Sequence, residues 1–207
     1  MPVNINDCSP KNIIIGLDAG FRNLGISIVD VTDNKFDILH IETITTKREN
    51  KKRNIKVVND DVISIKHTLD NLREAVDKHC RFHDKLLIAA ELPTAGAQSS
   101  LAAKGMAYGI CMVASFVTLY DIPAIWVTPL DVKRITSNKD NASKMFVMCN
   151  VVHKLGGDFK HVEGSKHQYI FSIDDEYYRE TEWEHIADSI GAIWHAQTTE
   201  QYKLWLS

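Results

Sequence analysis

The chain predicts an α/β domain from three observations. Three apolar runs near the start, residues 12–18, 24–30 and 36–46, are separated by the turn-rich segments AGFRN and TDNK, as in a strand meander. Val58, Val62, Ile65, Leu69, Leu72 and Val76 then recur at steps of three and four, the period of an amphipathic helix over 58–80. Beyond it, short apolar runs alternate with helical patterns, the order that builds sheets covered by helices.

The later elements follow in order. A strand is predicted at 86–91, a long helix at about 98–120, a strand at 123–128 bracketed by Pro123 and Pro129, and a helix starting near Asn141. The final helix is predicted over 183–196. The polar stretch 156–182 shows no sustained period beyond a short strand at 168–173, so it reads as an inserted loop or hairpin. No repeat or low-complexity segment is present, and 207 residues with 44% hydrophobic content suit a single domain over 1–207.

Composition narrows the chemistry. A formal charge of -3 excludes a protein that holds nucleic acid by overall basicity, so any such contact must be local. Four cysteines without a CxxC pair fit a reducing compartment. The N-terminus lacks the basic-then-apolar order of a secretion signal, and no uninterrupted apolar run approaches a bilayer span. A cytoplasmic protein without membrane contact is expected.

Asp18 closes the strand IIIGLDAG, Glu91 closes LLIAAELP, and His185 and Asp188, three apart in EHIADSIGA, share one helical face. Acids at the tips of adjacent buried strands repel one another, and divalent cations relieve that repulsion. Mg²⁺ favours a few carboxylates with positions left open for water and phosphate. A lone Asp at a strand end is most simply a turn cap; the whole set points to metal-dependent phosphodiester chemistry.

The order of elements resembles the ribonuclease H-like fold, a mixed five-stranded sheet with helices on both faces. GLDAGFRNLGISIVD is similar to the opening GIDPGxxxxGxxxx of RuvC-type Holliday junction resolvases. The run from ELPTAGAQSS to SNKDNASK follows that family's second block, and HIAD supplies the third. The chain departs from the bacterial pattern at Ala19, where Pro is usual, in a basic segment at about 47–56, and in the 156–182 insertion.

The resemblance implies an endonuclease that resolves four-way junctions, using two Mg²⁺ or Mn²⁺ ions. It implies Asp18 as the ligand common to both ions, with Glu91 and Asp188 divided between them. His185 is implied as ligand or acid/base, and Lys144 as the catalytic or phosphate-positioning lysine. It also implies a homodimer through one face of the 98–120 helix, the other face lying on the sheet; both faces read as buried. Phe21, Arg22 and the loop after Glu91 are implied junction contacts.

Further DNA contacts are expected from Lys47, Arg48, Lys51, Lys52 and Arg53 in KRENKKRNIK, and from Lys133, Arg134 and Lys139. Flaps, forks or structured RNA are alternative substrates. An actin-like or Hsp70-like ATPase is the alternative of another class, because GLDAGFRNLGISIV also resembles that superfamily's first phosphate loop. A bacterial or phage-infected cytoplasm is the expected setting. His79, Cys80 and His83 in HCRFH have some metal-ligand character but lack a second pair at zinc-site spacing.

Overall fold

A computed structural model describes residues 9–47, 57–92, 100–165 and 168–207. Strands β1 (Asn12–Ala19), β2 (Asn23–Asp30) and β3 (Asp37–Thr45) form the expected antiparallel meander. β4 (Lys85–Glu91) adds parallel to β1, and β5 (Ala124–Val127) adds parallel to β4, giving a mixed sheet in the order β3-β2-β1-β4-β5. β1 is therefore central and buried on both faces, which accounts for its continuous apolar run Ile13–Ile15.

Helices α1 (Val57–His79) and α2 (Ser100–Tyr120) cover one face, where Ile13, Ile15 and Leu17 meet Leu72, Val113 and Phe116. The other face holds Ile14, Leu87 and Ala89 against α5 (Glu180–Ala196). Strand alternation thus commits odd positions of β1 to one layer and even positions, Asp18 included, to the layer of α5. Among the described residues α2 is the one helix long and apolar enough to cross a membrane; in this fold it lies along the sheet with Met112, Val113 and Phe116 buried.

Three expectations need correction. Pro129 does more than end a strand: it occupies the first turn of α3 (Pro129–Ser137), where its missing N–H costs nothing, and Thr128 caps the helix in a reciprocal box with Asp131. The next helix, α4 (Lys144–Lys154), starts three residues later than expected because Ser143 accepts the Phe146 N–H as its cap. The 156–182 stretch is a three-stranded antiparallel sheet, β6 (Asp158–His161), β7 (Tyr169–Ile173) and β8 (Glu176–Arg179). Its alternation was masked by turn residues: Asp174 and Asp175 both carry positive φ in the tight β7–β8 connection.

Phe171 and Ile173 from this sheet join Trp183 and Ile186 of α5 and Val151 of α4 in a core of their own. Phe171 stacks on Trp183 at 5.6 Å, and Trp183 Nε1 donates to the Met148 carbonyl. A short helix α6 (Glu200–Leu206) closes the chain, with Trp205 donating to the Leu86 carbonyl. On the side of α2 away from the sheet, Ala103, Ala107, Cys111, Ser115 and Leu119, each four residues apart, form an exposed row.

Candidate active site

Asp18 and Glu91 are paired in register at the C-terminal ends of the adjacent parallel strands β1 and β4. Both lie on the α5 side of the sheet. α5 approaches unusually closely because Gly16 and Gly25 present no side chain to it: a Cβ on Gly16 would overlap the Ser189 carbonyl, and one on Gly25 the His185 carbonyl. The buried Ser27 and Ser189 hydroxyls are 2.6 Å apart, and Thr43 donates to the Glu182 carbonyl, so α5 is held against β2 and β3 along its first turns.

That approach brings His185 to Asp18. The His185 Nδ1–H donates to Asp18 Oδ2 at 2.6 Å. Asp188, one turn on, faces the same cleft of about 310 Å³, together with Glu91, Glu184, Lys133 and Lys144. Val147, Met148 and Pro129 provide its apolar wall. Lys144, at the first position of α4, forms an ion pair with Glu184.

The electrostatics reflect crowded acids. Burial, then the charges of Asp188 and Asp18, push the Glu91 carboxyl far above the carboxylate range. Burial and the charges of Asp18 and Glu184 raise Asp188 in the same way. For His185 burial disfavours the imidazolium, but the Asp18 hydrogen bond and the surrounding acids outweigh it and raise the pKa. The Glu184 contact, the largest cause, raises Lys144, which stays cationic.

Glu91 Oε2 is buried with no hydrogen-bond partner among the described residues. A buried acceptor left open beside two further acids is a position a cation satisfies. Among the described residues no three His, Cys, Asp or Glu side chains already close on one point, so the carboxylates line the cleft without coordinating across it.

No protein-family model matches the chain. A crossover junction endodeoxyribonuclease RuvC of Carboxydothermus hydrogenoformans is 24% identical over 143 residues, 69% of this chain and 81% of that protein. The structure of Thermus thermophilus RuvC in complex with Holliday junction substrate matches 89% of this chain and 92% of its own, with a TM-score of 0.59 at 17% identity. The chain has the RuvC fold. The yeast mitochondrial Holliday junction resolvase Ydc2 is similar over 97% of this chain and 86% of its own, at a TM-score of 0.50 and 14% identity.

Within this RuvC fold, the expected site residues fall into four groups. Asp18, Glu91, His185, Asp188 and Lys144 line one cleft, and Lys133, expected to touch DNA, lines it with them. Arg22 instead points into the protein: its guanidinium meets Asp60 Oδ2 at 3.0 Å and Asp61 Oδ1 at 3.1 Å and also contacts Ser64, while Lys104 pairs with Asp61. Phe21 is half-buried, edge-on to Tyr108 at 5.0 Å and beneath Arg22. Arg134 is engaged by both oxygens of Asp140, and Lys139 sits over the Phe146 ring. Lys47 is exposed. Arg48, Lys51, Lys52, Arg53 and most of the loop after Glu91 lie outside the described residues.

Glu184 was absent from the expected set. It stands four residues before Asp188, a helical spacing that carried the signal, but adjacent Glu residues in ETEWE read equally as a solvated first turn. The HCRFH residues separate: His79 stacks on His40 at 4.7 Å, burial pushes the Cys80 thiol up to about 12, and His83 is exposed.

Proposed function

We propose that this chain is a divalent-metal-dependent endonuclease acting on branched DNA, chiefly four-way junctions, as a homodimer. One observation carries the reading: Asp18, Glu91, His185 and Asp188, drawn from β1, β4 and α5, share a cleft in which buried Glu91 Oε2 has no hydrogen-bond partner among the described residues. The RuvC fold and the junction-bound Thermus relative support the substrate class.

Asp18, Glu91 and Asp188 would hold Mg²⁺ or Mn²⁺, with Asp18 central because its carboxylate faces both His185 and the β4 partner. Bound there, two such ions supply a water of lowered pKa and neutralise charge on the cleaved phosphate. His185 contributes once its ring is neutral, either as a nitrogen donor or as the acceptor of a proton. Lys144, kept cationic by Glu184, supplies fixed positive charge beside the phosphorane, and Lys133 a second.

The exposed α2 row of Ala103, Ala107, Cys111, Ser115 and Leu119 is the proposed twofold contact, since the small side chains at its first four positions allow two helices close approach and Leu119 adds an exposed apolar end. Two copies would give a junction one site for each strand of like polarity. The deciding experiment is cleavage of a labelled four-way junction, beside duplex, flap and fork controls, by wild type and Asp18→Asn with Mg²⁺ or Mn²⁺. Paired ligatable nicks lost in Asp18→Asn support resolution. Equal cutting of flaps and forks makes this a general debranching nuclease, and no metal-dependent cutting, with tight ATP binding, favours the ATPase alternative.

A further inference from the structure

The three-stranded sheet β6–β8 has two unlike faces. Phe159, Phe171 and Tyr178 lie side by side in register and pack toward Trp183. The opposite face carries two rows, Lys160–Ile170–Arg179 and Asp158–Ser172–Tyr177. Lys160, Arg179 and Tyr177 are exposed, with Lys160 Nζ 5.9 Å from the Tyr177 ring centroid. Among the described residues neither Lys160 nor Arg179 forms a salt bridge, whereas Arg22, Arg134 and Lys144 all do.

The sheet also has two unlike ends. Its acidic turn is Asp174 and Asp175, and Asp174 lies with Lys35, Lys154 and Trp194 near the C-terminal end of α5. The Lys160–Ile170–Arg179 end adjoins the N-terminus of α5, where the Tyr169 N–H donates to Glu180 Oε2. Arg179 directly precedes α5, so it stands five residues from Glu184 in the cleft, roughly 7 Å along the axis at a rise of about 1.5 Å per residue.

We infer that the outer face of this sheet, through Lys160, Arg179 and Tyr177, grips the sugar-phosphate backbone of the DNA arm that leads into the cleft. The assignment rests on the nuclease reading for its ligand. Two cations and a phenolic hydroxyl on the outer face of a sheet that leads into α5 hold backbone without reading bases.

The test is binding of a labelled four-way junction in EDTA across a salt series, by wild type, by Lys160→Glu/Arg179→Glu, and by Asp174→Asn/Asp175→Asn at the far end. The first variant is expected to bind at least about tenfold more weakly, with a log–log salt slope shallower by about 2, at roughly 0.9 per phosphate contact. Its thermal melt should equal that of wild type, because both side chains are exposed. The far-end variant should keep the wild-type slope.

Unchanged affinity and slope in Lys160→Glu/Arg179→Glu would overturn the surface while leaving the nuclease reading to Asp18→Asn. A matching change of slope in the far-end variant would reduce the effect to net charge and overturn it too. If wild type binds DNA with this charge-dependent loss but never cleaves, the surface stands and the nuclease reading falls.

Discussion

Gly25 of β2 lies directly against the main-chain carbonyl of His185 in α5, with no room for a Cβ between them. This contact sets the distance from the helix to the sheet, and through it the 2.6 Å approach of His185 to Asp18. Gly25→Ala is expected to push α5 outward, cost about 2 kcal/mol through overpacking, and reduce cleavage well beyond what the lost stability explains. Thermal melting and rate at saturating junction, measured on the same preparation, check it.

Glu91→Gln separates charge from shape. Without the carboxylate, metal-dependent cleavage should fall by at least about 100-fold. The metal-free protein should at the same time melt higher at alkaline pH, because a buried acid next to Asp18 and Asp188 is no longer forced to ionise. Cleavage that survives the substitution would remove Glu91 from the metal site.

The pH dependence of metal-free stability has a defined sign. Glu91, Asp188 and His185 all hold protons more tightly folded than unfolded. Their contribution is complete below the unfolded pKa values and is lost as pH rises through the folded ones. The share of the melting temperature in EDTA that these three groups supply, read as the difference between wild type and Glu91→Gln, is therefore expected to shrink as pH rises from about 4, the ordinary carboxylate range, into the alkaline region. Mg²⁺ should reverse the loss, and more strongly at higher pH, since its ligands must be deprotonated. Calorimetry across pH with and without Mg²⁺ reads both.

Lys144 and Glu184 act as a pair. Lys144→Ala is expected to lower the cleavage rate about 100-fold with little change in junction affinity, the pattern of charge that matters in the transition state. Glu184→Gln should cost less, because it frees Lys144 without removing it. Single-turnover kinetics distinguish the two.

Arg22 offers a contrast with surface cations. Its partners Asp60 and Asp61 have side chains only 3% exposed, so Arg22→Ala should destabilise the fold by roughly 3 kcal/mol. A variant that melts normally but binds junction poorly would return Arg22 to the DNA interface.

Most of the main sheet was legible because its strands are apolar runs with turn residues between them, and a buried central strand such as Ile13–Leu17 has few other readings. Asp18 and Glu91 were legible for the same reason: a charge that ends a buried run marks the strand tip. α3 was hidden because Pro129 serves equally as a strand terminator and as a helix opener, and only the Thr128–Asp131 capping geometry decides between them. Of the 156–182 segment the strand at 168–173 was legible and is β7; β6 and β8 were hidden because each is four residues long and mostly exposed.

The sequence by itself determined which layer each strand residue faces and which acids stand at strand ends, since both follow from a period of two and from where apolar runs stop. The tertiary structure alone decided the fate of the cations. Arg22, Arg134 and Lys133 look alike in the chain, yet one is committed to buried aspartates, one to a surface carboxylate and one to the cleft. Charge acts through space, and which charges become neighbours depends on how closely α5, α1 and α3 pack against the sheet.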